Sequence, residues 1–482
     1  MHLDENLRNL AYLLASVLFI FGIKGLTHPR TAVRGNTLGA LGMAIAIAAT
    51  LLDRGILGWG WIVTGLLLGS SAGAYLARRV QMTEMPEMVA LLNGLGGGAS
   101  MLVAGADLHE RIHMTRAAAQ AAAEGAATIP APSIDAVTIG ATAASCLVGA
   151  VTLAGSVMAF AKLREMAWVE RIRLPAQQAV SATLFVIAAV LAALLVANPH
   201  AVWIYWLLAL AAGALGILLV TPIGGADMPV VISLLNSYSG LAAAATGFVI
   251  GNNVLVIAGS LVGASGLILT RIMCRAMNRS LANVLFGGAL AEQGGSRAAA
   301  DEVYRTVKAT SPAEVAMLLD GARRVLVVPG YGLAVSQAQH IVRDLANLLA
   351  QRGAEVDFGI HPVAGRMPGH MNVLLAEADV PYDRLKEMDE VNSTIEQCDV
   401  ALVIGANDVV NPVARTDPAS PIAGMPIIDV DRARTVVVVK RSLSPGFAGI
   451  PNPLFAAENC LMLFGDGKKA LQELVAALKE GA

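Results

Sequence analysis

The 482-residue chain is 56% hydrophobic and only 15% charged, against roughly 25% charged in an average soluble domain. With a mean hydropathy of +0.63 it is not a wholly soluble protein, and 48 glycines with 5% aromatic residues suit closely packed membrane helices. A formal net charge of −2 gives no reason to expect a nucleic-acid partner.

Charge is unevenly spread. Of the first 275 residues 27 are charged, against 43 of the remaining 207. Residues 1–275 read as a polytopic α-helical membrane bundle in the lipid bilayer, 276–310 as a linker, and 311–482 as a soluble domain. Nine apolar runs, near 9–26, 36–52, 56–77, 85–106, 134–160, 177–197, 202–222, 228–250 and 253–274, are long enough to cross a hydrocarbon core of about 30 Å. The first has no small-x-small cleavage site and more spans follow, so it reads as an uncleaved helix. Alternate loops carry Lys24, Arg30 and Arg34; Arg78 and Arg79; Lys162, Arg164, Arg171 and Arg173; and Arg271, Arg275 and Arg279. The opposite side has only Arg8, Arg54, Arg111 and Arg116. The positive-inside rule then puts the N-terminus outside and the C-terminal domain in the cytoplasm.

Gly65, Gly69 and Gly73 repeat every four residues, as do Gly259 and Gly263, a spacing that lets helix backbones approach. Polar residues within spans are expensive and often functional. Glu84 and Glu87 open the fourth span, with Asn93 deeper; Asp227 opens the eighth, followed by Asn236, Ser237, Tyr238 and Ser239. These read either as a hydrated path or as polar glue between helices. Cys146, Cys274, Cys398 and Cys460 are scattered in apolar stretches without a CxxC, so buried thiols are expected and no metal site is.

Gly287, Gly288, Gly294 and Gly295 mark a tether. Beyond Pro312, apolar strands alternate with amphipathic helices, the pattern of a Rossmann-like parallel sheet. The strand Val325–Val328 runs into Pro329-Gly330-Tyr331-Gly332-Leu333-Ala334-Val335; a helix is expected to about Gln351, then the strand Val356–Ile360. This is the context of a dinucleotide fingerprint, although a plain βα turn shares it. Gly330 permits the turn, Gly332 lets the backbone approach a pyrophosphate, and Val335 replaces the third glycine, loosening helix–strand packing.

An NAD site usually places an acid at the end of the second strand, but here that strand ends at His361-Pro362. Lys440-Arg441 follows the strand Thr435–Val439 and precedes the loop Ser442 to Gly449. A basic pair there favours NADP(H) over NAD(H); the bland alternative is a solvated strand end. Gly405-Ala406-Asn407-Asp408 follows the strand Val400–Ile404, where Asp408 either accepts hydrogen bonds from an amide or ribose or caps the next helix. The segment His361 to His370, with Gly365, Arg366, Pro368 and Gly369, reads as a flexible basic loop able to clamp a pyrophosphate. No constellation of catalytic side chains is visible, and hydride transfer needs none, because the cofactors carry that chemistry.

Several motifs together carry a resemblance: Met82-Thr83-Glu84-Met85-Pro86-Glu87, Gly224-Gly225-Ala226-Asp227-Met228-Pro229, Leu235-Asn236-Ser237-Tyr238-Ser239-Gly240, Met273-Cys274-Arg275-Ala276-Met277-Asn278-Arg279, Pro329-Gly330-Tyr331-Gly332, Gly359-Ile360-His361-Pro362-Val363-Ala364-Gly365-Arg366, Gly405-Ala406-Asn407-Asp408 and Lys440-Arg441-Ser442. Over essentially its whole length the chain resembles the β subunits of bacterial proton-translocating NAD(P)+ transhydrogenases. The resemblance implies hydride exchange between NADP(H) on this chain and NAD(H) on a separate α subunit, coupled to proton passage across the inner membrane. It also implies further membrane helices on that subunit, no full reaction by this chain alone, and a dimer of αβ units. The candidate NADP(H) site is Gly330, Tyr331, Gly332, Val335, Arg366, Gly405, Asn407, Asp408, Lys440, Arg441 and Phe447. The candidate proton path is Glu87, Asn93, Asp227, Asn236 and Ser237.

Two positions depart from the family pattern. Asn93 stands where many members have histidine; asparagine does not titrate, which moves the ionisable group to a partner helix or to Glu87. Phe447 stands where relatives often have tyrosine, so one hydroxyl contact is lost. A nucleotide-gated transporter or channel without redox chemistry is the competing class, and independence from a hydride-donor subunit would distinguish it.

Overall fold

The computed structural model describes residues 5–26, 29–52, 59–124, 134–169, 172, 176–286, 303–446 and 448–480. Packing divides the chain into two units. One comprises Met1–Gln81, Glu87–Thr221 and Ser233–Ile268; the other comprises Met82–Pro86, Pro222–Ile232 and Leu269–Ala482.

Among the described residues, nine helices are long and apolar enough to span a membrane. They are α1 Glu5–Leu26, α2 Pro29–Leu51, α3 Trp59–Arg79, α4 Met85–Ala123, α5 Ala136–Leu163, α6 Gln177–Ala197, α7 Val202–Val220, α8 Met228–Val249 and α9 Asn253–Ala276. Each matches an expected apolar run, but α4 continues well past the expected end at 106. Its 39 residues extend roughly 58 Å at helical rise. Charged residues from Asp107 onward end the apolar window without ending the helix, because the following alanine-rich stretch is strongly helix-forming. Leu108 and Ile112 are buried with residues of α5, α6 and α7. Arg111 pairs with Asp107 at 2.6 Å and donates to the Val249 carbonyl at 3.0 Å, closing the C-terminal end of α8 with a cation.

Glycines set the closest helix approaches. A Cβ on Gly240 would stand 2.4 Å from the Gly263 nitrogen, and one on Gly259 2.4 Å from the Ala244 nitrogen, so α8 and α9 touch backbone to backbone. In contrast, Gly65, Gly69 and Gly73 meet nothing within 4 Å, and α3 buries no residue among those described.

After the short helix α10, Leu281–Phe286, and α11, Pro312–Asp320, comes a six-stranded parallel sheet in the order β3-β2-β1-β4-β5-β6. Its strands are β1 Arg324–Pro329, β2 Glu355–Ile360, β3 Leu385–Glu387, β4 Val400–Ile404, β5 Thr435–Lys440 and β6 Cys460–Phe464. The order reverses between β1 and β4, which opens a crevice at their carboxyl ends. Both faces are covered, as a parallel sheet requires. Val325 and Val327 belong to one core and Leu326 and Val328 to the other.

The remaining helices are α12 Tyr331–Val335, α13 Gln339–Gln351, α14 His370–Glu377, α15 Met388–Thr394, α16 Val413–Thr416 and α17 Gly467–Glu480. The expected single helix from the glycine turn to Gln351 is therefore two. Gln337 takes a left-handed conformation (φ 51°), and its N–H and that of Ala338 donate back to the carbonyls of Ala334 and Leu333. This closes α12 in the manner of a Schellman motif without the usual glycine. Gly287, Gly288, Gly294 and Gly295 of the expected tether lie outside the described residues. Tyr304 already packs on the sheet domain, stacked on Phe455 with ring centroids 6.3 Å apart and accepting from the Asn452 N–H at 2.9 Å.

Candidate nucleotide site and membrane polar residues

The loops after β1 and β4 are packed into each other. A Cβ on Gly330 would lie 2.4 Å from Ala406 Cα, and one on Gly405 2.4 Å from Gly332 Cα. The N–H groups of Gly330 and Gly332 donate to the carbonyls of Ile404 and Gly405, both at 2.9 Å. The N–H of Gly332 is thus given to the neighbouring loop. Gly405 itself is left-handed at φ +65°, a conformation that favours glycine. Val335 is 47% exposed.

Arg366 joins this turn from the far side of β1, its guanidinium 4.5 Å from the centre of the Tyr331 ring. Its backbone N–H donates to His370 Nδ1 at 3.1 Å, and His361 Nε2 lies 2.7 Å from the Pro426 carbonyl. His361 Nδ1 accepts from Val363 N–H, so Nε2 carries the proton and donates. Burial holds both rings neutral, pushing each pKa down to about 4, with the Arg366 cation adding to the effect at His370. The loop expected to be flexible is thus pinned by a histidine at each end, with Gly365 left-handed between them (φ +108°).

A second cluster forms at the ends of β4 and β5. Asp408 Oδ2 accepts from the Ala448 N–H at 3.0 Å, which ties the loop after β4 to the loop after β5. A Cβ on Gly446 would lie 2.5 Å from Asp408 Oδ1. The Asn407 amide lies 3.1 Å from Lys440 Nζ and 2.7 Å from the Gly446 nitrogen. Lys440 Nζ also donates to the Ser444 carbonyl and sits 5.1 Å from the centre of the Phe455 ring. Burial pushes its pKa down to about 8, which the Asp408 carboxylate partly opposes. Arg441 is exposed. Phe447 lies outside the described residues.

Sequence reasoning did not find Asn452 and Asn411. Asn452 is fully buried and donates to the Asn407 carbonyl at 3.1 Å. Asn411 is fully buried and donates to the Pro451 carbonyl at 3.2 Å. The available signal was their setting, Pro451-Asn452-Pro453 and Asn411-Pro412, which marks ordered turns.

In the membrane helices, Glu87 and Asn93 are buried. Ser237 Oγ donates to the Gly263 carbonyl at 2.6 Å, bonding α8 to α9. Farther along, Ser145 Oγ and Thr246 Oγ1 are 2.7 Å apart, and each lies 3.2 Å from the Ser100 carbonyl, so α4, α5 and α8 share a buried hydroxyl cluster. Asp227 is held by both carboxylate oxygens to Arg279 Nη1, at 3.1 and 2.8 Å. All four cysteines are free and buried.

A family model described as NAD(P) transhydrogenase beta subunit matches residues 8–477. The chain is 47% identical over 478 residues to the NAD(P) transhydrogenase subunit beta of Rhodospirillum rubrum, a comparison covering 99% of this chain and 100% of that protein. The same identity and coverage hold for the protein of that name from the strain ATCC 11170. Nine membrane-length helices among the described residues, a sheet with its crevice between β1 and β4, and a match along nearly the full length agree, and the chain belongs to the NAD(P) transhydrogenase beta subunit family.

Proposed function

We propose that this chain holds NADP(H) at the carboxyl ends of β1, β4 and β5, exchanges hydride with NAD(H) held by an α subunit, and couples that exchange to proton passage through its membrane helices. The observation that carries the reading is electrostatic. The crevice at the strand-order reversal has no carboxylate at the end of β2, where His361 stands, and has Lys440 and Arg441 at the end of β5. A 2′-phosphate needs that combination.

NADP(H), when bound, supplies the hydride chemistry. The protein's own groups position it. Lys440 and Arg441 offer charge to the 2′-phosphate, Arg366 offers a guanidinium anchored on Tyr331, and Asp408 with Asn407 shapes the loop Ser442 to Gly449. In the membrane, Glu87, Asn93, Asp227, Asn236 and Ser237 line the proposed path. Because Asn93 does not titrate, Glu87 or a group on a partner helix takes up the proton. The working assembly is a dimer of αβ units in the bacterial cytoplasmic membrane, with the N-terminus outside and the sheet domain in the cytoplasm.

Calorimetric titration of the full chain in detergent tests the cofactor. NADPH is expected to bind at least thirtyfold more tightly than NADH, and K440A/R441A to abolish that preference. Equal binding of the two nucleotides by the unaltered chain would sink the reading.

A further inference from the structure

The extension of α4 beyond its apolar run begins with two histidines four residues apart, in the segment His109-Glu110-Arg111-Ile112-His113. On a helix that spacing puts both imidazoles on one face, one above the other. The two rings are indeed neighbours, with centroids 6.2 Å apart, and both residues are exposed.

The rest of the same turns is fixed, so this face is held outward. Leu108 and Ile112 are buried in the cluster with α5, α6 and α7. Arg111 gives its guanidinium to Asp107 at 2.6 Å and to the Val249 carbonyl at 3.0 Å, which engages that cation away from the imidazoles. Arg116, the next cation along, is exposed, and its long side chain carries the charge into solvent. The run 85–106 already spans about 33 Å at helical rise, a full hydrocarbon thickness. His109 and His113 therefore stand past the apolar layer, where dissolved ions reach them.

We propose that His109 and His113 together bind one divalent transition-metal cation of the zinc, copper and nickel class. Imidazole is a ligand that suits all three metals. Two nitrogens about 2.0–2.1 Å from one ion are within reach of rings already this close and free to turn at the surface. Magnesium and calcium prefer oxygen ligands, so a histidine pair does not hold them. No third His, Cys, Asp or Glu completes a metal-holding group among the described residues. Water then fills the remaining positions, and the site is a surface clasp rather than the three-ligand centre that the same His-Glu-x-x-His spacing helps to build in metalloproteases. The four cysteines are buried and do not compete for the ion.

Calorimetric titration of the full chain in detergent with Zn2+, on protein without a polyhistidine tag, tests this. One Zn2+ per chain is expected, and excess Mg2+ is expected not to displace it. His109→Ala and His113→Ala should each weaken binding at least tenfold, because a single imidazole cannot chelate. A third variant exchanges two neighbours, His113→Met with Met114→His. It keeps the composition, and Met114 is itself 47% exposed, but the second imidazole is turned about 100° further round the helix. It should lose binding as fully as His113→Ala. Every altered side chain is exposed, so the packing of α4 is untouched. Zinc affinity that survives either alanine variant or the exchange overturns the proposal. So does displacement by Mg2+, or an unaltered chain that takes up no zinc.

Discussion

Lys440 is half-buried, and this gives the proposed nucleotide site a pH dependence of definite sign. Its folded pKa of about 8 lies below the value of about 10.4 for a free lysine. Between those limits the folded lysine is neutral and an unfolded one charged. NADPH affinity that uses the ammonium is complete below pH 8 and lost as pH rises through it. From pH 7 to pH 9 the contribution of this charge should fall about tenfold, whereas K440R should stay level because arginine remains protonated. Calorimetric titration of the full chain at the two pH values checks this; equal declines in both proteins would mean that Lys440 does not meet the phosphate. The pair Lys440-Arg441 was legible in the sequence because two basic residues directly follow an unbroken apolar strand. Asn452 was not, because its partner Asn407 is 45 residues away and no local periodicity links them.

At the level of elements, the glycine turn shows how a motif can be found while a packing demand on it stays hidden. Gly-x-Gly after a strand was visible, and the strand and its parallel partners lie where the alternation put them. The physical demand on Gly330 and Gly332 comes from the loop after β4, however, which presses its backbone against theirs. Sequence periodicity describes one segment and carries no information about which other segment will touch it. The same limit hid the break at Gln337, where hydrogen bonding replaces the expected glycine, and hid the length of α4, where hydropathy ends before the helix does. Gly405→Ala isolates this packing. It combines a left-handed backbone, costing about 1 kcal/mol without glycine, with an overpacked contact costing about 1–3 kcal/mol. A loss of about 2–4 kcal/mol in urea unfolding of the sheet domain, followed in the full chain, is the expected result. A change below 1 kcal/mol would show that the two loops can separate freely.

For the whole molecule, the split in charge density separates a part rich in long apolar helices from a part that forms the sheet, because lipid tolerates few charges and a soluble surface needs many. What composition cannot distinguish is a polar residue that conducts from one that fastens. Ser237 gives its hydroxyl to the Gly263 carbonyl where α8 meets α9, and the hydroxyls of Ser145 and Thr246 hold three helices at one point. Asn236 is the contrasting case: it neighbours Ser237 in sequence but is only partly buried, on a helix whose remaining surface is mostly sealed. Asn236→Leu preserves helix propensity and approximate size while removing the amide. It is expected to lower protons moved per hydride several-fold in vesicles of the αβ complex, with NADPH affinity within twofold of the unaltered chain. If Asn236→Leu keeps the full ratio, the path does not pass its amide, and Glu87 and Asn93 on α4 become the residues to replace next.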